Sequence, residues 1–207
     1  MWCYYACMEG GTALAEAIFG RINPSGKLPE TFYKRHTDCS AHRLGEFGEK
    51  ENVVYGEGIF VGYRYNETFG VEPEFCFGHG LSYTDFVYED AVYEETDGGG
   101  NVVCRLRNAG SYAGGETVQV YWIREQNGEN PHDAQRQDVT GQCSTGKGYN
   151  LSSLRPLKEL AGFGKIYLEP GETGQVEISV KGRPDGYRLG VGASVRDIRI
   201  SDVPSLA

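Results

Sequence analysis

Long apolar runs are missing from this chain. Nowhere do about eighteen apolar residues follow one another, the length a membrane-spanning helix needs, and the opening MWCYYACMEGG has neither a basic leader nor a sustained apolar core. The chain therefore reads as soluble, with no visible export signal. Positive charge is also short: 20 Lys and Arg stand against 29 Asp and Glu, a net charge of -9. Such a field repels phosphate backbones and anionic lipid, which disfavours nucleic acid and membrane partners. Paired cysteine motifs are absent as well. Cys3, Cys7, Cys39, Cys76, Cys104 and Cys143 are scattered and form no CxxC. Cys7, Cys76 and Cys104 lie among apolar or strand-like neighbours, where a free thiol acts as a small hydrophobe. A reducing cytoplasm is the simplest reading. The sequons Asn66-Glu67-Thr68 and Asn150-Leu151-Ser152 suit the opposite, a glycosylated secreted chain, although such triplets often arise by chance.

What remains is a chain of 207 residues, long enough to bury a real core and best divided into two unequal parts, 1–83 and 84–207. In the first, Trp2 to Tyr5 has the look of a strand tail. Leu14, Ala17 and Ile18 recur at helical spacing and predict a helix over 12–19, with Gly20 as its stop. NPSGKLP (23–29) is a turn, and the aperiodic, charged 34–52 is a surface loop. The second part carries seven short strand signals, at 86–95, 101–108, 116–124, 162–169, 175–180, 187–194 and 196–202. In ETVQVYWIR, Val118, Val120 and Trp122 share one face and Thr117, Gln119 and Tyr121 the other, the period of a half-buried strand. Pro170-Gly171 fits the centre of a type II turn. Seven strands at this spacing predict an antiparallel β-sandwich of immunoglobulin or fibronectin type III kind. The polar stretch 125–154 is longer than an ordinary strand connection.

Chemistry is harder to find. YGEGIFVGYRY (55–65) holds Gly56-x-Gly58-x-x-x-Gly62, one residue away from a dinucleotide fingerprint, whose glycines follow a strand and open a helix. The β-branched and aromatic residues among these glycines favour a buried strand over 58–65 instead. His36-x-x-Cys39-x-x-His42, with Asp38, offers three zinc ligand types in one loop, against the plainer reading of a solvated polar loop. His79 reads as a hydrogen-bonded packing residue and His132 as exposed. Glycoside or ester hydrolysis needs two placed carboxylates or a serine, histidine and acid set. Glu57, Glu72, Glu74, Glu94, Glu95 and Glu116 qualify by type only, and Ser82 and Ser194 lack a GxSxG context. No active site emerges from the residues.

A family pattern does emerge. MEGGTALAEAIFGRINPSGKLPETF, YGEGIFVGYRY and FCFGHGLSYTDF resemble the C-terminal portion of glycoside hydrolase family 3, nearest its bacterial β-glucosidase branch. NAGSYAGGETVQVYW, RPLKELAGFGKIYLEPGET and VGASVRDIRI resemble the fibronectin type III-like domain that closes many such chains. The resemblance implies a mostly β chain. Its residues 1–83 would be the end of an α/β sandwich domain plus connector, and 84–207 the fibronectin-like β-sandwich with a polar insertion at 125–154. It implies retaining hydrolysis of terminal β-linked glucosides and no cofactor or metal. The nucleophilic aspartate and acid/base glutamate of the family would both lie before Met1, so no catalytic residue is carried over and this chain alone is expected to be inert. Ala6-Cys7 replaces the usual Pro-Gly before MEGG, and KGRPDGYRLGVGAS is shortened. Residues 1–83 would leave an apolar face for docking within or between chains, and 1–80 would not be stable alone, whereas 84–207 would. Two rival readings stay open. One is a carbohydrate- or protein-binding module using 125–154, with Tyr149, Trp122 and Tyr112 as contact surface, although Trp122 reads better as core; the other is a half-enzyme completed by a separate barrel chain.

Overall fold

The structure, a computed structural model, describes residues 1–45, 51–53, 55–125 and 154–206. The polar stretch, with His132, Cys143, Tyr149 and the sequon at Asn150, lies outside the described residues apart from its two ends, Glu125 and Leu154. From Phe86 onward the chain is a sandwich of two four-stranded sheets. One has the order β10(Ser205–Leu206), β3(Phe86–Thr96), β4(Gly99–Asn108), β7(Thr173–Lys181). The other runs β6(Lys158–Leu168), β5(Gly114–Arg124), β8(Tyr187–Gly192), β9(Ile198–Ile200). All pairings in the two sheets are antiparallel except that of β10 with β3. The fibronectin-like sandwich is thus present, and the seven expected strands are β3 to β9.

Strand periodicity explains the core. Val102, Cys104 and Leu106 on β4, Val118 and Val120 on β5 and Val191 on β8 have no exposed surface, while Arg105 between them faces water. Each such side chain contributes roughly 1.5–3 kcal/mol on burial. Burial pushes the Cys104 thiol up to about 12. Native-state alkylation at neutral pH is therefore expected to label exposed Cys3 and Cys7 but spare Cys104 until the chain unfolds. Peptide mass mapping reads this directly, and early labelling of Cys104 would contradict the packing. Cys7, expected among apolar neighbours, is exposed instead, because the turn before α1 (Gly10–Ile18) faces away from the core.

The NAG turn is organised by one side chain. Asn108 is fully buried: its amide nitrogen donates to the carbonyls of Tyr112 (2.7 Å) and Leu168 (3.0 Å), and its oxygen accepts from Thr84 Oγ1 (2.6 Å) and Gly110 N (3.1 Å). All four hydrogen-bonding positions of the amide are used. Asn108→Ala is expected to destabilise by about 2–4 kcal/mol in chemical denaturation, since it strands several buried partners at once. A loss under about 0.5 kcal/mol would mean water replaces the amide freely. The Pro170-Gly171 turn closes as expected, with Glu172 N on Glu169 O at 3.0 Å.

The first part departs further from expectation. α1 (Gly10–Ile18) matches the predicted helix, and Phe19 caps it ahead of Gly20. Trp2 to Tyr5 is not a strand: no strand lies beside it among the described residues, and an extended segment without a ladder partner has nothing to fix it. The charged loop holds a 3-10 turn (His36–Asp38) and a short helix, α2 (Ser40–Arg43). The predicted strand over 58–65 is wrong as well. Gly58 and Gly62 both take φ 55, a left-handed conformation that breaks any strand, and the chain then turns into α3 (Tyr63–Phe69), which ends at left-handed Gly70. A two-residue ladder, β1 (Phe32–Tyr33) against β2 (Pro73–Phe75), brackets this helix.

Candidate functional site

The connector crosses the outer face of the second sheet and packs there against β5, β6 and the turn between β8 and β9. β5 was expected to be half-buried, yet Gln119, Tyr121 and Ile123 on its outer face are as covered as Val118, Val120 and Trp122 on the inner one. A second core of Tyr121, Ile123 and Val195 packs against Tyr63, Phe77 and Leu160. Gly78 makes the approach close: a Cβ there would stand 2.4 Å from Gln119 Oε1, and its φ of 80 suits glycine. Tyr121 donates its hydroxyl to Gln119 Oε1, and Gln119 Nε2 donates to the Ala193 carbonyl at 3.2 Å. Burial raises the Tyr121 phenol well above its ordinary range, so it stays a neutral donor.

Ion pairs fasten the layer. On α3, Glu67 is 9% exposed and receives Lys158 Nζ at 2.9 Å and Arg196 Nε at 2.6 Å; Arg196 Nη1 also reaches Glu72 at 2.5 Å. The hydrogen bond from Arg196 holds the Glu72 carboxyl below its usual range. Alongside, Leu157 N donates to Thr68 Oγ1 (2.9 Å) and Leu160 N to the Tyr63 hydroxyl (2.9 Å). At the other end, buried Glu116 accepts from Tyr88 (2.9 Å) and pairs with Lys27 (3.3 Å). Asn23 of the NPSG turn donates to Ala113 O and accepts from Ser82 Oγ and Tyr83 N. Between them lies a cavity of about 310 Å³ bordered by Lys27, His79, Glu116, Ser194, Asp197 and Arg199. Arg199 holds the Asp197 carboxyl down by hydrogen bonding and also donates to Phe86 O.

Chemically this is a fastening, with its charges neutralised in pairs. Glu67 and Glu116 are committed to cations. Glu74, Glu94 and Glu95 are exposed, Ser82 is bound to Asn23, and Ser194 accepts from Cys76 Sγ at 3.6 Å. Only Glu57 is distinctive among these carboxylates: it is 8% exposed and its Oε2 has no hydrogen-bond partner among the described residues. His79 stacks on Phe75 with ring centroids 5.1 Å apart, a packing role. His36 and His42 meet edge to face at 5.0 Å, and among the described residues no three His, Cys, Asp or Glu side chains are placed to hold a metal ion. Asn66 and Thr68 of the first sequon are buried at 1% and 0%, closed to a glycan in this fold. Sequence reasoning missed Glu67, Lys158 and Arg196, which lie up to 129 residues apart in the chain.

Exposed apolar side chains are concentrated in the first part of the chain. Of the 19 exposed large hydrophobic side chains among the described residues, 15 precede Thr84, including Trp2 (59%), Tyr5 (103%), Phe19 (81%) and Tyr55 (82%). On α1 only Ala17 is buried.

A fibronectin type III-like sandwich carrying the end of another domain is therefore the class of protein that the fold defines. Residues 1–63 match the glycosyl hydrolase family 3 C-terminal domain and residues 148–193 the fibronectin type III-like domain. The chain belongs to glycoside hydrolase family 3 and corresponds to its C-terminal portion. It is 40% identical over 181 residues to thermostable beta-glucosidase B of Acetivibrio thermocellus, covering 86% of this chain and 21% of that protein. Beta-glucosidase 3B of Thermotoga neapolitana, solved with glucose, superposes with a TM-score of 0.70 at 35% identity, over 92% of this chain and 26% of that one. The Bifidobacterium adolescentis beta-glucosidase gives 0.70 at 30% identity, over 91% and 27%. The chain spans about a fifth to a quarter of the length of these relatives.

Proposed function

We propose that this chain is the C-terminal, non-catalytic part of a β-glucosidase-type glycoside hydrolase. Hydrolysis of terminal β-linked glucosides would run by two-carboxylate retention, with both carboxylates outside residues 1–207. The observation that carries the reading is the concentration of exposed apolar side chains in residues 1–83, beside a sandwich whose own core is closed. Such a patch marks a docking face. The sandwich grips the connector through Glu67 and the Tyr121 cluster, and so fixes how that face is presented. The division at about residue 84 belongs to the same proposal.

The test uses this chain and thermostable beta-glucosidase B truncated before its matching C-terminal region. Neither alone should hydrolyse an aryl β-glucoside, and mixing them should restore turnover. Failure to recover activity at high concentrations of both, with both folded by circular dichroism, would count against docking. Turnover by this chain alone would overturn its non-catalytic role.

A further inference from the structure

After β9 the chain leaves the second sheet and crosses to the edge of the first, where Ser205–Leu206 pairs in parallel with Tyr93–Glu94 and Tyr93 N donates to Pro204 O at 2.9 Å. This crossing roofs a cavity of about 390 Å³ on the inner-face side of Trp122, and the cavity lining includes none of the residues of the second core at the connector junction. Backbone bonds hold the roof, so the cavity is preformed. Its floor is aromatic: Tyr93 and Trp122, each 4% exposed, meet edge to face with centroids 6.1 Å apart, and Leu189 continues the apolar surface. Both rings belong to the inter-sheet core, which fixes their orientation.

The wall carries Arg188. Arg188 is partly buried and anchored by one Nη1 bond to the Ser201 carbonyl, and among the described residues no carboxylate stands at ion-pair distance from it. The neighbouring Arg183, by contrast, is paired with Glu125 at 3.1 Å. A guanidinium has five donors in a planar fork that matches a carboxylate, and a partly desolvated cation gains most from an anion brought to it. Glu95 and Asp202 are exposed at the rim and raise the cost of a second negative charge on any occupant. The volume, the apolar floor and a guanidinium without an acidic partner among the described residues suit a small-molecule site.

We propose that this cavity binds a small aromatic monocarboxylate, its ring against Tyr93 and Trp122 and its carboxylate on Arg188. The site does not depend on the glycosidase reading.

Trp2→Phe leaves Trp122 as the single tryptophan and makes its fluorescence the readout. Benzoate should change this signal saturably in the millimolar range. Benzyl alcohol, which lacks the charge, and phenyl phosphate, a dianion, should each bind roughly tenfold or more weakly. Arg188→Gln should lose benzoate to the same extent with the unfolding midpoint retained, while Arg188→Lys should fall between. If Arg188→Gln unfolds, the comparison among the three ligands still decides. No saturable response to benzoate, equal binding of benzyl alcohol, or unchanged binding by a folded Arg188→Gln would each overturn the proposal. Preferred binding of phenyl phosphate would overturn the monoanion assignment and redefine the site as one for aryl phosphates.

Discussion

Replacing Glu67 with alanine is expected to destabilise the chain by about 3–5 kcal/mol. Removing one member of a buried ionic group leaves the others uncompensated, and here two cations lose the same partner. Lys158 and Arg196 have side chains only 17% and 29% exposed, and Glu67 itself 8%. Lys158 keeps its 2.7 Å bond to Val195 O and Arg196 keeps Glu72, so the loss stays finite. Glu67→Gln keeps one acceptor oxygen, so only one of Lys158 and Arg196 retains its hydrogen bond while the other faces an amide NH2, and it should cost only somewhat less than alanine. For a chain of this size a loss of that order lowers the unfolding midpoint by roughly 6–20 °C. Thermal and urea unfolding measure both. A cost near that of an exposed pair, under about 1 kcal/mol, would show that the network is not desolvated in solution.

Cutting the chain at residue 84 should leave a sandwich that folds but is weakened and sticky. All 16 buried residues of the inter-sheet core lie between Phe86 and Val191, so the cooperative unit is intact without the connector. The outer face of β5 is not. Tyr121, Ile123 and Val195 lose Tyr63 and Phe77, and buried Gln119 loses the cover of Gly78. We expect 84–207 to unfold cooperatively at a lower midpoint than 55–207, and to bind more of a hydrophobic dye. Residues 1–83 alone should show no cooperative transition, having most of the exposed apolar side chains and only a two-stranded ladder. Equal midpoints for the two longer pieces would mean that the connector adds nothing. A cooperative transition in 1–83 would refute its dependence.

These outcomes turn on features the sequence shows unequally. The sandwich strands were legible because alternation survives wherever one face meets the core, as in Val102, Cys104 and Leu106. β5 misled by the same rule: its Thr, Gln and Tyr face looked like a solvent face because these side chains are polar or amphipathic, yet a third layer covers it. YGEGIFVGYRY misled for a different reason. Its composition favours a strand, but two left-handed glycines divide it, and Glu67 and Thr68 then anchor the following residues as a helix through bonds to Lys158 and Leu157. Tertiary context overrode β-propensity there.

By itself the sequence determined the sandwich, its turns, the helix at Gly10–Ile18 and membership of the family, because periodicity and motif order are local and survive in one dimension. The tertiary structure alone decided how the connector is held. The bonds from Lys158 and Arg196 to Glu67 span 91 and 129 residues, and the roof over Trp122 joins the chain's last residues to β3. No spacing rule can bring such residues together, since their meeting follows from how the layers stack.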